Sequence, residues 1–103
     1  MPSRPRTHPR LGKISQDWEY RSGDGTLLAV VCRFETAQGK DYRPLTVTPE
    51  GWFWRAPPSP RPLYGLYRLA ARPEADVILC EGEKAADAAA LLLPATVAMT
   101  TMN

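Results

Sequence analysis

The chain has 103 residues, 44% of them hydrophobic and 23% charged, which suits one small globular domain and excludes disordered and fibrous classes. A net charge of +2 permits a polyanionic partner without demanding one, and no apolar run approaches the ~20 residues of a membrane span. Two well-separated cysteines and a single histidine, His8, exclude the ligand spacing of a zinc site.

From Met1 to Lys13 the chain carries Arg4, Arg6, Arg10 and Lys13, three prolines and no acid. This composition predicts an extended basic arm, taken as residues 1–16, rather than a packed element. Two readings are open for it: a contact for phosphates or an acidic protein, or a solvated leader. It has no apolar signal-peptide region, so the expected location is cytoplasmic. There Cys32 and Cys80, both in apolar runs, are expected as buried reduced thiols, with a disulfide as the alternative.

Trp18 and Tyr20 alternate with Glu19 and Arg21, Ser22-Gly23-Asp24-Gly25 supplies a tight turn, and Leu27 to Phe34 follows as a second strand. The near-continuous apolar run Leu27 to Cys32 predicts a central strand covered on both faces. Ala37 to Asp41 turns into a third strand, Tyr42 to Val47, and Pro49-Glu50-Gly51 into Trp52-Phe53-Trp54. An antiparallel meander of about four strands is therefore predicted over residues 17–55. Its aromatics and arginines, among them Arg21, Arg33 and Arg43, are the mixture that stacks on unpaired bases, and also the apolar face a small sheet requires. Most are assigned to the core; Trp54 with Arg55 is the expected exposed pair.

Four prolines between Pro57 and Pro62 end the sheet, because proline donates no ladder hydrogen bond. The resulting connector, 56–75, is predicted to hold a short helix over Leu63 to Arg72. Residues 76–103 then read as a β-α-β unit: strand Val77 to Cys80, turn Glu81-Gly82-Glu83, helix Lys84 to Leu93, and strand Thr96 to Thr100. The expected fold class is thus α+β, with residues 17–103 as one small domain.

An apolar strand ending in Glu81-Gly82-Glu83-Lys84, followed at once by an alanine-rich helix, resembles the opening of a Toprim domain of primases and topoisomerases. Arg43-Pro44-Leu45-Thr46, Arg61-Pro62-Leu63-Tyr64-Gly65-Leu66 and Glu81 to Ala88, in that order, resemble the segment of phage- and plasmid-type primase-helicases that leads into this domain. His8 to Lys13 is similar to the linker before it. The resemblance spans about His8 to Thr100 and implies that Glu81 corresponds to the Toprim acid/base glutamate. It places Gly82 at the tight turn and Lys84 and Asp87 on the first turns of the helix.

The Asp-x-Asp pair that holds magnesium in this family does not follow Thr100, so Glu81 is expected to be vestigial and the chain non-catalytic, a natural truncation carried by a mobile element. No cofactor is expected; magnesium enters only if a second chain completes the site. The expected function is to bind nucleic acid or a nucleic-acid-processing machine through Arg4, Arg6, Arg10, Lys13, Trp54, Arg55 and Lys84. The alternative is a small inhibitor of a host effector protein, of the kind found among anti-CRISPR proteins. An open sheet edge implies a protein partner or a homodimer, and no membrane association is expected.

Overall fold

A computed structural model of the chain describes residues 3–102; Met1, Pro2 and Asn103, at the ends of the expected segments 1–16 and 17–103, lie outside the described residues. The fold is α+β, built from a four-stranded antiparallel meander and a smaller three-stranded sheet. No helix among the described residues is long and apolar enough to cross a membrane.

The first departure from expectation is at the basic segment. Instead of an extended arm it folds into a small hairpin, β1 (Thr7–His8) paired antiparallel with β2 (Gly12–Lys13). His8 closes it locally, its Nδ1 accepting the backbone N–H groups of Arg10 and Leu11 at 3.1 and 3.2 Å. Its ring lies edge-on to Phe34 and Trp54, with centroids 5.7 and 4.8 Å away. Arg4 bridges two carboxylates, Asp17 at 2.9 Å and Glu19 at 2.7 Å. Long-range partners thus supply the order that an arm of this composition lacks by itself.

The meander runs β3 (Gln16–Arg21), β4 (Leu27–Thr36), β5 (Gly39–Thr48) and β6 (Gly51–Phe53), each hydrogen-bonded to the next. As its apolar run demands, β4 is central and covered on both faces. Side chains alternate across a strand, so its residues divide between two cores. Val30, Cys32 and Phe34 join Leu45 beneath Leu11 and Ile14 of the hairpin segment, with Trp52 and Trp54 at the side. Ala29 and Val31 join Trp18 and Tyr20 on the opposite face.

That opposite face packs on the second sheet, whose order is β7 (Leu63–Tyr64), β9 (Thr96–Thr101), β8 (Asp76–Leu79). β8 and β9 are parallel, with Val77 opposite Val97, and α2 (Glu83–Leu92) connects them as a β-α-β unit. These bounds fall within a residue or so of those read from the sequence. Tyr64, Ala86, Ala98 and Met102 complete the core shared with Trp18 and Tyr20. The two cysteines are free, Cys32 buried and Cys80 only half-buried; burial pushes the Cys32 thiol up to about 12, with Asp17 adding to the effect.

The helix expected from Leu63 starts later, as α1 (Leu66–Ala71). Leu63 and Tyr64 instead pair antiparallel with Thr101 and Thr100 of β9. Gly65, with φ +94°, makes the corner between them in a conformation that side chains other than glycine rarely adopt.

Candidate functional site: a cleft at the start of the second helix

Glu81 follows the end of β8, and Gly82 stands as the N-cap of α2 with extended backbone and no side-chain cap. The first-turn N–H groups of a helix have no intrahelical acceptor, so Glu83, Lys84 and Ala85 present uncapped donors and the positive end of the helix dipole. This turn sits against the meander face that carries Trp18, Val31 and Tyr42. Together they enclose a cleft of about 280 Å³, lined by those three residues and by Glu81 to Ala85.

The walls are chemically distinct. Trp18 and Tyr42 are near-parallel, with centroids 6.4 Å apart and an interplanar angle of 30°. Tyr42 is 52% exposed, while Trp18 is 4% exposed and its indole N–H has no acceptor among the described residues. Glu83 is committed elsewhere, since its Oε2 accepts the Tyr20 hydroxyl at 2.6 Å. One turn on, Asp87 accepts the Tyr64 hydroxyl, also at 2.6 Å. These two phenols fasten α2 to both sheets, and their rings lie 5.2 Å apart. The carboxylate of Glu81 has no hydrogen bond or ion pair among the described residues.

Of the residues singled out from the sequence, the cleft brings together Glu81 and Lys84. It does not gather the others. Arg4, expected as a nucleic-acid or partner contact, is held by Asp17 and Glu19 on the opposite face of the meander. Arg6, Arg10 and Lys13 are exposed on the hairpin, over that same opposite face. Trp54 is half-buried between His8 and Phe34, so the expected exposed pair is replaced: Arg55 lies over Phe53, 4.6 Å from its centroid. Sequence reasoning missed Tyr42 as a site residue. Its place opposite Arg33, on the face of Val31 and Trp18, emerges only once the register is known.

Magnesium, implied by the resemblance, needs a near-octahedral oxygen set. With Glu83 occupied by Tyr20, the turn offers a single uncommitted carboxylate, and no group of three or more His, Cys, Asp or Glu among the described residues is placed to hold a metal ion. The residues present do not fit that ion. No family model, curated protein or solved structure matches the chain.

Proposed function

We propose that the chain is a non-catalytic, primase-derived module, akin to the first half of a Toprim domain, that works by binding nucleic acid. The observation that carries this reading is the cleft, where the glutamate turn and uncapped start of α2 meet an exposed tyrosine on an aromatic sheet face. Unpaired bases bind such platforms by stacking, and cationic side chains at the rim track the phosphates. Lys84 is exposed at that rim.

Titration of a fluorescent single-stranded oligonucleotide across a salt series tests it. Affinity should fall with salt, and Lys84→Ala should flatten the logarithmic slope by about 0.7. Arg4→Ala should leave the slope unchanged while lowering stability by about 1 kcal/mol, the scale of a partly screened ion pair. Flat titrations with several oligonucleotides sink the reading.

A second reading, a protein that captures a host effector, draws on a different observation. β8 pairs only with β9 among the described residues, and Leu79 on it is 74% exposed. Leu91 and Leu92 of α2 are 85% and 79% exposed. An open strand edge with apolar side chains is a template for another chain. Co-purification of a stoichiometric partner, lost in Leu79→Lys, would favour this reading over the first.

A further inference from the structure

We propose that the cleft is a pocket for one unpaired guanine base. The inference rests on the nucleic-acid reading and narrows it to one chemical edge. At about 280 Å³ the cleft lies just below the usual range for small-molecule pockets, a size for one flat ring system and not for an extended ligand. Tyr42 offers a stacking surface, and Val31 and Trp18 form an apolar wall behind it.

The polar groups then choose among the bases. Glu81 brings a carboxylate with no partner among the described residues, and a carboxylate can accept two parallel N–H donors at once. Two residues later come the uncapped N–H groups of α2, so acceptor and donors line the same cleft. Guanine alone among the four common bases presents two adjacent N–H donors, at N1 and N2, beside a carbonyl acceptor, O6. Adenine brings one amino group between two ring acceptors, cytosine one amino group beside a single ring acceptor, and uracil a single N–H between two carbonyls. Only guanine therefore matches both oxygens of Glu81 while leaving O6 for an N–H of the helix start. Lys84, at the rim, is placed for the phosphate that accompanies the base.

In this assignment Glu81 is a base-reading residue, and its negative charge serves two N–H donors instead of a metal. Isothermal titration with GMP, AMP, CMP and UMP tests it. GMP should bind tightest, by on the order of tenfold, the discrimination expected of one good bidentate contact. Glu81→Gln should erase that preference, because an amide presents one acceptor where guanine needs two. Tyr42→Ala should weaken all four nucleotides together. Tyr42→Leu, which keeps apolar bulk without the ring, serves if the alanine variant loses its circular-dichroism signature.

Equal affinities for the four nucleotides, or a guanine preference untouched by Glu81→Gln, overturn the proposal. An oligonucleotide that binds wild type and both variants alike overturns the pocket and leaves the nucleic-acid reading standing. Absence of binding by every mononucleotide and oligonucleotide removes both.

Discussion

Two tyrosines decide how α2 is held. Burial, then the hydrogen bond to Glu83, raises the pKa of Tyr20 well above its ordinary value of 10; burial and Asp87 push Tyr64 up to about 12. The sign of the pH dependence follows. Below pH 10 both phenols are protonated in folded and unfolded chains alike, and their contribution is whole. Above it the unfolded chain releases protons that the folded one retains, so stability drains away as pH rises through about 12. Urea midpoints measured from pH 9 to 12 should fall, and Tyr20→Phe should lose part of that fall while costing about 1–2 kcal/mol at neutral pH. The same bonds explain why Glu83, which in sequence looks equivalent to Glu81, is not: one carboxylate is a structural acceptor and the other has no partner among the described residues. Spacing within Glu-Gly-Glu carries no information about which of the two a distant tyrosine will engage.

Among the elements, those with clear periodicity were legible and the shortest were not. Alternation over Trp18 to Arg21, the apolar run from Leu27 and the turn at Ser22 to Gly25 sufficed for the meander, because local pattern and tertiary burial agree there. The hairpin β1-β2 and the strand β7 are two residues each, and their partners settle their form: Trp54 and Phe34 for His8, β9 for Leu63 and Tyr64. Leu63, Leu66, Tyr67 and Leu69 fit a helical spacing equally well, and only the corner at Gly65 separates strand from helix. That corner is tight, since a Cβ there would stand 2.6 Å from the Ala98 carbonyl oxygen and 3.1 Å from Met99 Cγ. Gly65→Ala should therefore cost about 2–3 kcal/mol, from backbone strain together with the displaced β9 backbone. Chemical denaturation checks this, and an effect within 0.5 kcal/mol, the range of an ordinary surface substitution, would show that β7 and α1 adjust freely.

At the scale of the whole molecule, the candidate site is a product of assembly. Glu81 and Lys84 were legible as a strand-end turn, but Tyr42, Val31 and Trp18 reach them only because the meander's face lies against the β-α-β unit. The basic residues that composition gathers into one segment end up on the other side of the sheet, with Arg4 neutralised by two acids of β3, Asp17 and Glu19. Charge counted along a chain thus says little about charge presented to a ligand.

The division of β4 between two cores has a further consequence. A ribbon one residue thick separates the hairpin's underside from the cleft, and it works like a membrane in a drum: what slackens one side is felt on the other. Cys32 sits on the hairpin side as a built-in reporter, its thiol buried and held protonated. In the native protein it should react with a thiol reagent far more slowly than half-buried Cys80. Leu11→Ala, which thins the hairpin's cover, should quicken Cys32 labelling, and occupancy of the cleft should slow it again, an echo carried through the strand that both compartments share.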